Sequence, residues 1–318
     1  MISLSVILPC YNSRETLPRA LAALFEQRDT LGAFEVVVVD DGSVDGTADI
    51  ARETAAPLPL AVVRQPNRGL AAARNAGAAH AAGRILLFLD PDVFARPGLI
   101  AAHLRHYASG ETLLAVQGRT RADPDTLVTP FMRARHRLPD LTWRRRDDLS
   151  PFHVLGRNFS TTREGFLAAG GFDEAFSGYG WEDVEFALRL IRQGGRIRYE
   201  PDALGLHHHV LSLEDATARQ AQNGRAAVYF WRKHSQSLAL GLHLEIHPVL
   251  LPLKWLVYRT GALAWAAEAL RPLAERHNLL LLCSEIYNYL FWRAYYDGVF
   301  AAWRPTRGKA RSAAGAGA

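Results

Sequence analysis

Short apolar runs rich in branched residues alternate with helix-length segments through the first third of the chain, and that alternation limits the fold more than any other feature. Runs at Leu4–Leu8, Phe34–Val39, Leu60–Val63, Ile85–Leu89 and Leu113–Val116 have the length and residue types of strands. Leu17–Phe25, Ala48–Thr54, Leu70–Ala82 and Gly98–Tyr107 fit helices between them. Strand–helix–strand alternation predicts an α/β fold, a doubly wound and mostly parallel sheet with right-handed crossovers. Ile85–Leu89, five apolar residues in a row, predicts a central strand covered on both faces.

The strands end in polar loops that converge on one edge of such a sheet. Pro9-Cys10-Tyr11-Asn12 follows the first strand, Asp40-Asp41-Gly42-Ser43 the second and Asp90-Pro91-Asp92 the fourth. Open α/β sheets bind ligands at that carboxyl edge. Two aspartates so close together repel and need a counter-charge, for which a divalent cation gripping a diphosphate serves; a plain turn is the competing reading. Asp41 can accept from a base or ribose, against a turn-and-cap role that accounts for Asp45. Pro66-Asn67-Arg68-Gly69 opens a helix of small residues in which Arg74 and Asn75 stand out. An arginine near a helix N-terminus suits phosphate or ribose, against a plain surface arginine on an alanine helix.

A second block runs from Phe152 to Leu211. Gly178-Tyr179-Gly180-Trp181 precedes Glu182-Asp183, which start a helix with apolar positions at Val184, Ala187, Leu188 and Ile191. Acids in a first turn are favoured by the helix dipole alone. A flat aromatic beside a carboxylate is also how a sugar ring is stacked and its hydroxyl deprotonated. His207-His208-His209 follows an expected strand at Leu204–Leu206, so alternation sends His207 and His209 to one side and His208 to the other. Between Asp123 and Ser150 the pattern weakens and arginines gather, Arg144-Arg145-Arg146 among them, which reads as a surface or mobile segment. Helices are expected at Leu213–His234 and Pro248–Trp303; charges interrupt every apolar run before a bilayer-spanning length of about 20 residues.

Val6-Ile7-Leu8-Pro9-Cys10-Tyr11-Asn12, Val39-Asp40-Asp41-Gly42-Ser43, Asn67-Arg68-Gly69 through Arg74-Asn75-Ala76-Gly77, and Phe88-Leu89-Asp90-Pro91-Asp92 occur in that order. Over residues 3 to 120 they resemble the inverting family 2 glycosyltransferases of GT-A fold. The Gly-Tyr-Gly-Trp-Glu-Asp stretch is similar to the acceptor-side motif of those enzymes and to C-terminal regions of galactosyltransferases and N-acetylgalactosaminyltransferases. The resemblance implies a nucleotide-sugar donor, with uridine diphosphate as leaving group. It assigns Pro9, Tyr11, Asn12 and Asp41 to the base side, with Gly69, Arg74, Asp90 and Asp92 completing the donor site. It makes Asp92 a metal ligand with a histidine, His207 first and His209 second. Carboxylate and imidazole ligation together suit Mn²⁺, then Mg²⁺. Asp183 becomes the general base, and Asn158, Trp181 and Glu182 face the acceptor, a saccharide or a lipid-linked molecule.

The implied organisation is a nucleotide-sugar-binding half at 1–122, an acceptor-binding and catalytic half at 123–212, a C-terminal helical region at 213–303 and a basic disordered tail at 304–318. That tail holds Arg304, Arg307, Lys309 and Arg311 and no acid, four of the net five positive charges. The remaining charge is spread too thinly for nucleic-acid binding. Two distant cysteines, Cys10 and Cys283, and a first strand at the start of the chain read as cytoplasmic. The aromatic C-terminal helices admit packing onto the main domain, a homodimer, or peripheral contact with the inner membrane face. Two rivals stand beside a transferase for polysaccharide biosynthesis. A sugar-phosphate nucleotidyltransferase would want a glycine-rich loop where Pro9-Cys10-Tyr11-Asn12-Ser13-Arg14 stands, and a non-catalytic glycan-binding scaffold would not need the acids.

Overall fold

The structure is a computed structural model that describes residues 2–27, 30, 33–135, 148–176, 178–259 and 261–303. The chain forms two compact units, Met1–Leu211 and Ser212–Ala318. In the first, the elements run β1 (Leu4–Cys10), α1 (Leu17–Phe25), β2 (Phe34–Asp40), α2 (Thr47–Glu53), β3 (Leu60–Arg64), α3 (Leu70–His80), β4 (Ile85–Leu89) and β5 (Val93–Ala95). Then come α4 (Leu99–Leu104), β6 (Leu114–Ala122), α5 (Pro130–Arg135), β7 (Asn158–Thr162), α6 (Arg163–Ala168), α7 (Glu182–Arg192) and β8 (Arg196–His207).

All eight strands join one sheet, ordered β3-β2-β1-β4-β7-β6-β8-β5. Strands β3, β2, β1 and β4 are parallel, so the loops after β1, β2 and β4 leave by the same edge. Strand β4 is buried along its whole length, as its five apolar residues predict. Its parallel partner lies on one side only; on the other it pairs antiparallel with β7. The sheet is therefore mixed, with β6–β8 parallel and β6–β7 and β5–β8 antiparallel.

Alternation along the strands divides the core into two layers. Val6, Leu8, Val36, Val38, Leu87 and Leu89 pack on one face with Leu17, Leu21 and Leu24 of α1 and Leu99 and Ile100 of α4. Ile7, Val37, Val39, Leu86 and Phe88 pack on the other, with the alanines of α3, Phe166 of α6 and Phe186 and Leu190 of α7. Each such side chain contributes roughly 1.5–3 kcal/mol of burial. The small residues of α3 bring it close to the sheet: a methyl at Gly77 would strike Ile7. In its described parts the segment expected at the surface after Asp123 is mostly exposed, anchored by a minority of buried residues. Asp123, Thr126, Phe131, Ala134 and Leu149 are inside: α5 is amphipathic, and Asp123 is paired with Arg19 and His208. Residues 136–147, with Arg144, Arg145 and Arg146, lie outside the described residues, as does the expected tail at 304–318.

The second unit contains α8 (Leu213–Lys233), α9 (Leu238–His243), α10 (Leu251–Arg259), α11 (Gly261–Arg276) and α12 (Leu280–Trp303). The helices expected over Pro248–Trp303 are α10, α11 and α12, and the chain turns between α11 and α12 at Asn278, whose backbone is left-handed (φ 51°). Among the described residues no helix is long and apolar enough to cross a membrane. Helices α8 and α12 meet backbone to backbone: a methyl at Gly224 would strike the Tyr295 carbonyl, and one at Gly298 the Ala221 carbonyl. In an unconstrained helix Gly→Ala stabilises by up to about 1 kcal/mol. Here Gly224→Ala and Gly298→Ala should each destabilise by about 2 kcal/mol through overpacking. Urea unfolding followed by circular dichroism checks the sign; a gain in either variant would remove the close crossing.

Candidate metal and nucleotide-sugar site

Strand β5, three residues that the sequence pattern does not reveal, brings the first cluster together. It begins one residue after Asp92 and pairs antiparallel with the end of β8, Val93 opposite His207. Asp92 Oδ2 consequently lies 3.3 Å from His207 Nε2 and 3.4 Å from His209 Nδ1. The two imidazoles stack, 5.1 Å apart and within 2° of parallel. These hydrogen bonds outweigh burial and hold the Asp92 carboxyl well below the usual carboxylate range. Its other oxygen, Oδ1, is buried with no hydrogen-bond partner. Three convergent donor atoms within 4.8 Å of one another, one beside an orphaned carboxylate oxygen, fit a divalent cation.

His208 turns to the opposite side, as strand alternation requires. Its Nδ1 lies 2.8 Å from Asp123 Oδ2, and Thr126 Oγ1 is 3.2 Å away. Asp123 also accepts from Arg19 at 2.8 Å. Backbone bonds reinforce the arrangement: His208 N donates to Asp92 O, and Asp123 N to His207 O. The sequence pattern gives no signal for Arg19 or Asp123.

A second cluster centres on Arg74. The guanidinium is not at the surface but 2% exposed, with Nη1 on Glu182 Oε1 (3.0 Å) and Nη2 on Asp90 Oδ1 (3.1 Å). Gly156 lies against it so closely that a methyl there would strike the guanidinium carbon. Burial works against the charge, but Asp90, Glu182 and Asp183 outweigh it and raise Arg74 above its ordinary value. Glu182, expected on the acceptor side, is buried, with Oε1 on Arg74 and Oε2 without a hydrogen-bond partner. Burial, then the adjacent Asp183 charge, pushes Glu182 up to about 7, while Arg74 pulls it back.

Asp183 remains half-buried at the start of α7. Its Oδ2 accepts from Gly156 N (3.0 Å) and its Oδ1 from Val184 N (2.8 Å), so the carboxylate direction is fixed. Trp181, partly exposed, is the left-handed residue before α7 (φ 71°), and it follows two glycines, Gly178 and Gly180, that also carry positive φ. Asn75 clamps the neighbouring loop, donating to Phe172 O and Glu174 and accepting from Phe172 N.

The remaining expected donor residues line the same edge. Tyr11 is exposed, above a buried Pro9. Asn12, left-handed at φ 50°, ties the loops after β1 and β2 by accepting from Val44 N and donating its own N–H to Ser43. Asp41 is buried and accepts from Gln65 Nε2, Arg68 N and Gly69 N, holding the entry to α3. Asn158 is a correction. It is fully buried in β7, and its amide bonds to His103 Nε2, Arg119 O and Ala203 O, leaving nothing for an acceptor.

The family model for glycosyl transferase family 2 matches residues 5–167, and that for the N-terminal domain of galactosyltransferase matches 150–210. The validoxylamine A glucosyltransferase of Streptomyces hygroscopicus is 35% identical over 218 residues, 60% of this chain and 52% of that one. The chain thus spans about half the length of that relative. The mannosyltransferase PcManGT of Pyrobaculum calidifontis, in complex with GDP-Man and Mn²⁺, superposes with a TM-score of 0.60 at 22% identity, over 92% of this chain and 86% of that one. TarS of S. aureus in complex with UDP does so with a TM-score of 0.53 at 19% identity, over 90% of each chain. The chain belongs to glycosyl transferase family 2 and has the GT-A fold expected from its motifs.

Removing the Arg74 charge tests the second cluster. Arg74→Leu strands Asp90 and Glu182 and should cost about 3 kcal/mol. Glu182 without its cation titrates higher still, so protonation below about pH 7 removes one buried charge and shrinks the deficit as pH falls. Urea midpoints of both proteins at about pH 8 and about pH 5.5 check this; an equal deficit at both would detach Glu182 from Arg74.

Proposed function

We propose that this family 2 enzyme moves a sugar, with inversion, from a nucleoside-diphosphate donor to a hydroxyl of a saccharide or lipid-linked acceptor. The observation that carries the reading is the Asp92–His207–His209 convergence at the end of β4, with one carboxylate oxygen unpartnered. A divalent cation held by these residues would supply positive charge against the departing diphosphate. Mn²⁺ is favoured by the mixed ligand set and by its presence with GDP-Man in the archaeal mannosyltransferase.

In this reading Tyr11 and the loops pinned by Asn12 and Asp41 receive the base, and Asp90, steered by Arg74, meets the ribose. UDP is favoured over GDP because TarS, of the same fold, is found with it, while the mannosyltransferase makes guanosine the competitor. Trp181 offers its ring to the acceptor sugar. Asp183 takes the proton of the acceptor hydroxyl as its oxygen attacks the anomeric carbon. The bond from that carbon to the diphosphate breaks, and the nucleoside diphosphate leaves with the electron pair. Glu182 acts through Arg74, setting the start of α7 against the Asp90 loop.

General-base help contributes about 10²–10⁴ in rate. Asp183→Asn should therefore lower kcat by at least the smaller factor with nucleotide-diphosphate affinity unchanged; near-normal turnover with a screened donor would take the role from Asp183. Asp92→Ala should abolish the Mn²⁺-dependent part of UDP binding in calorimetry. Undiminished metal-dependent binding would move the cation elsewhere.

A further inference from the structure

The second unit carries apolar surface that its own packing does not use. In α11, Ala264, Ala267 and Ala274 face inward. At 100° per residue the opposite side presents Trp265, Ala269, Pro272 and Leu273, with exposed Leu263 and Leu270 flanking it, and its single charge is Arg276. Trp265 is 75% exposed. Helix α10 repeats the apolar pattern: Leu251 is buried, and the outward side presents Leu253, Trp255 and Leu256, with Arg259 paired to Asp297 of α12. Leu281, in the first turn of α12, is 74% exposed. The acids of α11 sit away from this side, where Glu268 pairs with Arg271 and Glu275 accepts from Tyr287. Scattered exposed apolar residues are ordinary, but helices whose outward sides lack acids and carry exposed tryptophans are not.

We propose that the outward sides of α10 and α11 dock on an anionic lipid surface, lying in the headgroup region without crossing it. Exposed Trp and Leu beside arginines form the composition that partitions at a bilayer interface. The cations match negative headgroups. Residues 304–318, which follow α12 in sequence, add Arg304, Arg307, Lys309 and Arg311 with no acid, each worth about 1 kcal/mol near such a surface. Charge also argues against a second copy of the chain: two-fold pairing would set the outward side of α11 against itself, with Arg276 on it and no acid to receive the charge. This inference is independent of the catalytic reading.

The experiment is co-sedimentation of the full chain with vesicles of phosphatidylcholine alone or with about 30 mol % phosphatidylglycerol. Binding to the anionic vesicles should exceed that to the neutral ones by about tenfold or more and fall with salt, with tryptophan emission moving to the blue. The double substitution Trp265→Ser with Leu270→Ser, both at exposed positions, should lower it about tenfold with the unfolding midpoint and UDP affinity unchanged. Replacing Arg304, Arg307, Lys309 and Arg311 by Gln should remove most of the preference for anionic lipid. Absence of binding to either vesicle, or binding untouched by the double substitution, overturns the proposal. So does a two-chain mass in sedimentation equilibrium that the double substitution returns to one, which would give the surface to a second copy.

Discussion

A cation buried between two acids from distant parts of the chain holds the carboxyl edge of the sheet in the first unit together. Arg74 leaves α3, reaches Asp90 at the end of β4 and Glu182 at the start of α7, and has almost no solvent around it. Such a group is costly unless paired, and pairing it on both sides fixes three elements relative to one another. Asp90 lies two residues before Asp92, and Glu182 one before Asp183. The carboxylate proposed to hold the cation and the one proposed to take the proton are therefore registered through one guanidinium. Gly156 serves the same join twice, making room for Arg74 and donating its N–H to Asp183.

Much of this was legible where local physics decides. Strands β1 to β4 and helices α1 to α3 follow from apolar periodicity, and their boundaries differ from expectation by at most about two residues. The separation of His207 and His209 from His208 follows from the two-residue period of a strand, and the stacked rings agree with it. Charged pairs across long separations are not legible in this way. Arg74 in an alanine-rich helix reads as a phosphate contact or a surface residue, because nothing local marks Glu182, 108 positions later, as its partner. Asp123 in an arginine-rich stretch reads as surface for the same reason.

Strand β7 went unseen for a different reason. Asn-Phe-Ser-Thr-Thr lacks the apolar alternation that marks a strand, yet all five residues are buried between β4 and β6. Polar side chains are tolerated there because each is satisfied. Thr161 donates to Leu114 O, Thr162 accepts from Gly165 N to cap α6, and Ser160 bonds to His103 and Tyr107. A pattern rule that equates burial with hydrophobicity misses such a strand, and with it the antiparallel pairing that makes the sheet mixed.

Asn158 explains why a polar strand belongs at that place. The pairing of β6 with β8 slips between Gly118 and Arg119, where the partner jumps from Glu200 to Leu204. Such an irregularity leaves backbone carbonyls without ladder partners inside the sheet. Both hydrogens of the Asn158 amide go to Arg119 O and Ala203 O, on either side of the slip. That fixes its oxygen as the acceptor from His103 Nε2, so His103 Nδ1 accepts from Ser160, whose own oxygen accepts from Tyr107. Burial draws His103 down to about 4 and keeps it neutral, although the Asn158 bond works the other way. The slip redirects the last residues of β8, His207 among them, to run between β5 and β6. A residue that the motif pattern placed on the acceptor thus serves the sheet itself, by satisfying carbonyls beside the slip in the strand that ends at His207.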